Sequence, residues 1–221
     1  PIDRGEGRSE LGVQSNLPFQ GVDLWNAYEF SYLDAFGLPH QLALRILVSV
    51  NSPNIIESKS MKLYLGSFAG SRYENQETVL ETIHADLTNA LGLSDGISER
   101  VDDGLSVSIL DEPALQIHGA PSEWIDIDQE KPDQLPSKYD ASMLRLTSNQ
   151  YEAAEFFTNA FRSLCPVTGQ PDYARIVVGY EGGQLDRVAL LQYLLSYREH
   201  GDFAEQVAER VFMDLDLTLS P

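Results

Sequence analysis

The feature of this sequence that most constrains its fold is an internal repeat. Tyr-Leu-Gly-Ser-Phe at positions 64–68 returns as Tyr-Leu-Leu-Ser-Tyr at 193–197, and His-Ala-Asp-Leu at 84–87 returns as Phe-Met-Asp-Leu at 212–215. The two spacings are 129 and 128 residues. A repeat at nearly constant spacing predicts two related structural units, because such repetition marks a duplicated supersecondary motif. The alternative is a chance similarity between two amphipathic helix pairs.

Hydrophobic periodicity predicts the same order of elements in both units. Alternation of apolar and polar residues predicts strands at 27–33, 42–50, 105–110 and 175–180. Apolar residues at helical spacing predict helices at 58–68, 77–91, 185–197 and 203–215, with Gly92 ending the second of them. Residues 1–20 are expected to be an irregular lead-in. The pattern therefore favours an α+β fold built from two strand–strand–helix–helix units.

A segment rich in proline and acidic residues, 111–140, separates the two units and predicts a connecting region that contains their boundary. We therefore expect one domain at residues 1–120 and a second at 121–221. The second unit reaches Pro221 where a copy of the strand at 105–110 would begin. Its closing strands are thus expected to be missing from this sequence.

The charge of the chain argues against several classes of partner. Its 34 acidic and 15 basic residues give a net charge of -19 at pH 7. Binding to nucleic acid or to an anionic membrane surface needs basic groups, so both are disfavoured, and an acidic coat that aids solubility is the simpler interpretation. We recognise no signal peptide and no apolar stretch of the roughly 20 residues that a membrane helix needs. A single cysteine allows no internal disulfide, so a cytoplasmic location is expected.

Cys165 is the first candidate for chemistry. It lies in Leu-Cys-Pro-Val-Thr-Gly-Gln-Pro-Asp at 164–172, where two prolines, a glycine and polar residues predict a tight loop outside the core. A lone cysteine is ordinarily a small buried hydrophobic residue. A loop thiol can instead act as a nucleophile if its thiolate is stabilised and a proton donor or acceptor lies close. Asp172, seven residues further on, can fold back toward Cys165.

Two helix starts supply further candidates. At the first, Glu57 or Ser58 can cap the helix, or unpaired N–H groups with Ser58 and Lys59 can hold an anion such as a phosphate. Glu57 can also accept paired hydrogen bonds from a guanine-like base edge. At the second, Glu205 either complements the helix dipole or clamps a purine-like ring. The histidines show no metal-ligand spacing, so no metal is predicted.

Two long motifs, in this order, resemble the two-module branch of the NADPH-dependent 7-cyano-7-deazaguanine (preQ0) reductases. Ile-Glu-Ser-Lys-Ser-Met-Lys-Leu-Tyr-Leu at 56–65 is similar to their signature, and Cys-Pro-Val-Thr-Gly-Gln-Pro-Asp at 165–172 is similar to their active-site loop. The segments 24–29 and 37–39 extend the resemblance, which covers about residues 16–215. It implies the tunnelling fold (T-fold), with two tandem ββαα(ββ) modules and antiparallel sheets, and a homodimer.

The resemblance also implies a reaction, in which NADPH reduces the nitrile of preQ0 to the aminomethyl group of preQ1 on the route to queuosine in tRNA. Cys165 would add to the nitrile carbon and form a thioimide, and Asp172 would donate a proton to the nitrogen. The implied substrate-binding residues are Glu57 and Glu205, assisted by the backbone of Ile56, Ser58 and Ala204. Ser58 and Lys59 would contact NADPH.

The sequence departs from the family pattern in two places. Ala204 stands where the family has a histidine that assists substrate binding and proton delivery, which implies weakened activity. The family also continues past position 221 with an Arg-Arg-Gly-Gly segment that contributes to NADPH binding. Two alternatives therefore stay open. One is a homologue that binds preQ0 without reducing it, and the other is an amidinotransferase-like relative that admits ammonia to the same thioimide.

Overall fold

The structure, a computed structural model, describes residues 1–13, 17–93, 104–110, 121, 123–132, 136 and 138–219. The chain divides into two compact units, Pro1–Ile117 and His118–Pro221. The sequence predicts a boundary within residues 111–140. Of that segment, residues 111–120, 122, 133–135 and 137 lie outside the described residues. Both units combine antiparallel strand pairs with helices, so the predicted α+β class is confirmed.

The first unit contains a three-stranded antiparallel sheet on which two helices pack, together with a two-stranded sheet and a short helix near the start of the chain. Its strands are β1 (Ile2–Asp3), β2 (Val22–Leu33), β3 (Pro39–Ser49), β4 (Asn54–Ile55) and β5 (Leu105–Ile109), and its helices are α1 (Arg4–Glu10), α2 (Ser58–Gly66) and α3 (Gln76–Leu91). β3 lies between β2 and β5. Its alternate side chains Leu44, Ile46 and Val48 are buried in one cluster with Met61 of α2 and Ile83 of α3.

The predicted strands and helices of this unit are confirmed, with ends that shift by a few residues. Gly92 adopts φ 72° at the end of α3, in the left-handed region that favours glycine. Asn75 caps the start of α3 by accepting a hydrogen bond from the N–H of Thr78 at 2.9 Å. The capping residues therefore set both ends of the helix that the apolar periodicity predicted.

The expectation of an irregular lead-in at residues 1–20 is wrong, because α1 lies within it. Asp3 caps α1 by accepting a hydrogen bond from the N–H of Gly5 at 2.7 Å. Arg4 is buried, forms an ion pair with Asp23 and donates a hydrogen bond to the Ser52 hydroxyl at 3.2 Å. Glycine has low helix propensity, so the two glycines of α1 conceal the helix from sequence analysis.

The second unit is dominated by a long antiparallel hairpin. Its strands are β6 (Ile125–Asp126), β7 (Leu146–Leu164) and β8 (Pro171–Leu185), and its helices are α4 (Arg187–Leu195) and α5 (Ala204–Leu219). β6 pairs in parallel with the middle of β7. The predicted strand at 175–180 and both helices are confirmed. β7 was not predicted, because its Glu-Ala-Ala-Glu stretch favours helix and only pairing with β8 overrides that preference.

The sequence repeat corresponds to repeated side-chain contacts. Tyr64 donates a hydrogen bond to Asp86 at 2.7 Å in the first unit, and Tyr193 donates one to Asp214 at 2.6 Å in the second. These are the tyrosines and aspartates that the two pairs of motifs share. Burial and the bond to Asp86 raise the pKa of Tyr64, and burial, the neighbouring Tyr197 and the bond to Asp214 raise the pKa of Tyr193. The same contact in both units argues against chance similarity.

Among the described residues, no helix is long and apolar enough to cross a membrane.

Candidate active site

Cys165 opens the loop that joins β7 to β8. Its N–H donates to the carbonyl of Gln170 and its carbonyl accepts from the N–H of Gly169, both at 2.8 Å. Gly169 has φ 65°, a conformation that side chains rarely adopt, so a glycine fits this turn. The predicted loop is confirmed. The expectation that Cys165 lies outside the core is wrong: it is only 4% exposed, because it extends the strand ladder by one residue before the exposed turn begins.

Asp172 lies on the same face of the hairpin as Cys165. It is paired with Ser163, and Cys165 follows Ser163 by two residues. Side chains alternate along a strand, so residues two apart share a face, and diagonal neighbours across an antiparallel ladder lie about 7–8 Å apart. The strand register therefore places a carboxyl group near the buried thiol.

The segment before α5 is hydrogen-bonded to the strand end that precedes the thiol. Leu164 donates its N–H to the carbonyl of His200 at 2.9 Å, and its carbonyl accepts from the N–H of Asp202 at 3.1 Å. A Cβ on Gly201 would lie 3.7 Å from the Cα of Pro166, at ordinary van der Waals contact. The first turn of α5, which carries Ala204 and Glu205, thus begins beside the Cys165 loop.

A groove of about 730 Å³ lies between β8 and α5. Asp172 and Ala204 both line it near the starts of their elements. At the far end, a Cβ on Gly182 would lie 3.3 Å from Leu219, so α5 follows β8 along its length. A side chain at position 204 therefore shares this groove with Asp172.

Glu57 caps α2 in the first unit, where the buried Ile56 precedes it. Its carboxylate accepts hydrogen bonds from the N–H groups of Lys59 and Ser60, both at 2.9 Å, and from the Ser60 hydroxyl at 2.9 Å. The capping interpretation is confirmed. The expectation of unpaired N–H groups is wrong for Lys59 and Ser60, because both N–H groups already donate hydrogen bonds to the Glu57 carboxylate. Ser58 is exposed, and Lys59 Nζ lies 3.8 Å from Glu57.

These contacts shift the protonation of Glu57. Burial on its own would raise the pKa of this carboxyl. The hydrogen bonds from Lys59 and Ser60, together with the charge of Lys59, outweigh burial and lower the pKa below its ordinary value of 4.5. Glu57 is therefore an anion at neutral pH and can accept further N–H donors only by sharing or exchanging its present ones.

The first unit contains a counterpart of the Cys165 loop with different chemistry. Leu33 donates its N–H to Ser71 and accepts from Tyr73, as Leu164 does with His200 and Asp202. The residue after Leu33 is Asp34, which thus occupies the place of Cys165. Its carboxylate accepts hydrogen bonds from two N–H groups of its own loop at 2.9 Å and lies 3.2 Å from His40. The two units therefore share these backbone hydrogen bonds at the end of the hairpin, which we call the hairpin frame. The thiol belongs to the second unit alone.

The structure brings the predicted site residues together in two groups. Cys165, Asp172, Ala204 and Glu205 lie around the start of β8 and α5, although Cys165 and Glu205 do not line the groove. The other predicted residues, Ile56–Lys59, adjoin one another at the start of α2 in the first unit. Among the described residues, no three His, Cys, Asp or Glu side chains are grouped as metal ligands.

Sequence analysis assigned no role to the side chains that surround the turn before α5, namely His200, Asp202 and Arg210. Their positions follow from the hydrogen bonds that Leu164 makes to residues 200 and 202. The signal that could have found them is the repeat itself, because Leu33 makes the same pairing with residues 71 and 73. The 129-residue spacing of the repeat aligns positions 71 and 73 with 200 and 202, although the residue types at these positions differ.

A buried thiol with a carboxyl group on the same face of its hairpin, hydrogen-bonded to the segment before a helix, defines a candidate site for covalent catalysis. Comparison with known proteins supplies the family. Residues 1–97 match the family described as "Nitrile reductase, 7-cyano-7-deazaguanine-reductase N-term", and residues 171–221 match one described as "QueF-like protein".

Curated proteins named NADPH-dependent 7-cyano-7-deazaguanine reductase are similar along the whole chain. The protein of Paraburkholderia phymatum is 39% identical over 222 residues, covering 100% of this chain and 78% of its own length. Those of Paraburkholderia xenovorans and Albidiferax ferrireducens are each 38% identical, covering 97% of this chain and 76% of their own lengths. The chain therefore belongs to the NADPH-dependent 7-cyano-7-deazaguanine reductase family, and the resemblance found from its motifs is confirmed.

Proposed function

We propose that this chain reduces the nitrile of 7-cyano-7-deazaguanine to an aminomethyl group with NADPH; its relatives are named NADPH-dependent 7-cyano-7-deazaguanine reductases. The observation that carries the proposal is the Cys165 hairpin, with Asp172 on the same face and the start of α5 hydrogen-bonded beside it. We further infer that residues 1–120 and 121–221 are tandem T-fold modules and that the protein acts as a homodimer in the cytoplasm. The repeated ββαα order supports the modules.

The proposed first step is addition of the Cys165 thiolate to the nitrile carbon. A sulfur–carbon bond forms, one π bond of the nitrile breaks, and the nitrogen takes a proton from Asp172, which leaves a thioimide. A nitrile is a poor hydride acceptor, and covalent addition converts it to a more electrophilic C=N group. Protonation by a positioned acid avoids a nitrogen anion. The burial of Cys165 supports this scheme, because a site closed to water protects the imine from hydrolysis.

Glu57 and Glu205 are proposed to hold the deazaguanine, assisted by the backbone of Ile56, Ser58 and Ala204. The lowered pKa of Glu57 supports an acceptor role, since an ionised carboxylate accepts N–H donors from a heterocycle. Its present partners are the first N–H groups of α2, so substrate binding at Glu57 would have to compete with the helix cap.

Ser58 and Lys59 are proposed to contact NADPH, which supplies hydride when bound. Their chemistry fits this group, because an exposed hydroxyl and an ammonium can donate hydrogen bonds to phosphate oxygens. The N–H groups of Lys59 and Ser60 are already used by Glu57. The side chains of Ser58 and Lys59, and not the first turn of the helix, would therefore provide the contact.

The proposal is tested by following the absorbance of NADPH with preQ0 present. The native chain is expected to oxidise NADPH only when preQ0 is added, and Cys165→Ala is expected to be inactive. Equal oxidation by Cys165→Ala would contradict the proposal. Formation of an amidine from preQ0 and ammonia without NADPH would favour the amidinotransferase alternative.

A second candidate function is capture of preQ0 with little or no reduction. Ala204 favours it, because this residue lines the groove with Asp172 and carries no proton donor. This candidate predicts a covalent adduct at Cys165 that persists in the presence of NADPH, whereas a working reductase would clear it.

A further inference from the structure

A cluster formed by His200, Asp202 and Arg210 surrounds the turn between α4 and α5. The carboxylate of Asp202 lies 3.6 Å from His200 Nε2 and 3.4 Å from Arg210 Nη2. Its other oxygen accepts a hydrogen bond from the N–H of Phe203 at 3.0 Å. The side chains of Asp202 and Arg210 are 14% and 13% exposed. Contacts to a carboxylate so shielded from water are stronger than those of exposed surface ion pairs.

Aromatic rings contact two members of this cluster, Arg210 and His200. The guanidinium of Arg210 lies 5.6 Å from the centre of the Tyr139 ring. The ring of His200 lies 5.4 Å from that of Tyr139 and 5.5 Å from that of Tyr197. Arg210 and His200 thus both contact the Tyr139 ring, which restricts the positions of the two side chains that flank Asp202.

Asp202 joins the two elements that carry the proposed chemistry. Through its backbone it is bonded to Leu164, the residue before Cys165, at 3.1 Å. Through its side chain it is bonded to Arg210, which lies on α5 beyond Glu205. A shift of α5 relative to the end of β7 would have to break one of these contacts.

Comparison of the two units shows that the shared frame does not require this cluster. In the first unit Ser71 and Tyr73 make the backbone contacts that His200 and Asp202 make in the second. Tyr73 stacks there on Phe68, with ring centres 5.3 Å apart. Arg72 of the same turn donates a hydrogen bond to the Ala35 carbonyl at 3.5 Å, so different contacts hold the turn beside Asp34, and the Asp202 cluster occurs in the unit that has the thiol.

We propose that Asp202, with His200 and Arg210, is a positioning cluster that fixes Cys165 relative to the first turn of α5 and hence to Glu205. This inference rests on the proposed function, because it assigns the cluster to the reaction of Cys165 with a bound nitrile. Reaction rates depend steeply on such placement, and a misplacement of about 1 Å can cost a hundredfold.

The test compares Asp202→Asn with Arg145→Gln. The control removes an Arg–Asp pair of the same unit, 2.7 Å between Arg145 and Asp186, away from the thiol. With saturating preQ0, Asp202→Asn is expected to form the Cys165 adduct about tenfold more slowly or worse. Arg145→Gln is expected to react at the native rate, and Asp202→Glu to recover part of the loss. Native-rate adduct formation by folded Asp202→Asn would overturn the inference.

Alkylation of Cys165 by iodoacetamide provides a second measurement that needs no preQ0. Loss of the cluster should loosen the turn, so Asp202→Asn is expected to be alkylated several-fold faster than the native chain and than Arg145→Gln. Equal alkylation rates would contradict the inference. Failure of the native chain to form a preQ0 adduct would overturn the proposed function instead, and the alkylation test would still apply.

Discussion

Individual side chains distinguish the two units, which share one hairpin frame. Asp34 and Cys165 follow equivalent strand ends, yet Asp34 uses its carboxylate to bind N–H groups of its own loop. In the corresponding turn Cys165 bonds to Gln170 and Gly169 through its backbone, and the Thr168 hydroxyl accepts a hydrogen bond from the N–H of Gln170 at 3.4 Å. The choice of side chain at this one position therefore separates a structural turn from a candidate nucleophile.

Position 204 tests whether the groove lacks a second proton donor besides Asp172. Ala204→His is expected to raise turnover of preQ0 by about tenfold or more, because positioned general acids typically contribute at least that much. Steady-state NADPH oxidation measures it. Ala208→His is the matched control, since Ala208 lines the same groove further along α5. An equal gain from both variants, or from neither, would contradict a specific role for position 204.

At the scale of elements, helix starts and hairpins position the site. Sequence analysis predicted some of these elements and missed others. Gly92 and the apolar spacing of α3 were sufficient to predict that helix and its end. β7 could not be predicted, because its helix-favouring residues are held extended by pairing with β8. The burial of Cys165 could not be predicted either, since it depends on the ladder running one residue past Leu164.

The cap of α2 predicts an acid-sensitive contribution to stability. The folded pKa of Glu57 is lowered, so the unfolded chain binds a proton more readily. The contribution is therefore present above the ordinary pKa of 4.5 and is lost as pH falls through the lower, folded value. Glu57→Gln is expected to lower Tm at neutral pH and to lower it by a smaller amount at acidic pH. Thermal unfolding measures this, and a Tm difference that grows on acidification would contradict it.

The two tyrosine–aspartate pairs predict unequal costs of the same substitution. Tyr193 is fully buried and also lies 2.9 Å from the Tyr197 hydroxyl, whereas Tyr64 is only partly buried. Removing a hydroxyl from a buried network leaves its partners unsatisfied and costs about 1–3 kcal/mol. Tyr193→Phe should therefore destabilise more than Tyr64→Phe in urea denaturation. A larger loss from Tyr64→Phe would show that burial does not set the cost.

For the whole molecule, the net charge of -19 opposes an anionic cofactor. Salt screens this long-range repulsion, and the screening length falls to about 10 Å at 0.1 M ionic strength. The KM for NADPH is therefore expected to fall as salt rises from low millimolar to that concentration. The KM for the uncharged substrate preQ0 serves as the control and should change little. A KM for NADPH that rises with salt would show that local cations such as Lys59 dominate.

The central claim is that the Cys165 thiol forms a covalent bond with the nitrile carbon of preQ0, and intact-mass spectrometry measures it most directly. Without NADPH, the native chain is expected to gain the mass of one preQ0 molecule, and Cys165→Ala is expected to gain none. An unmodified native chain at saturating preQ0, or an equal gain by Cys165→Ala, would contradict the account.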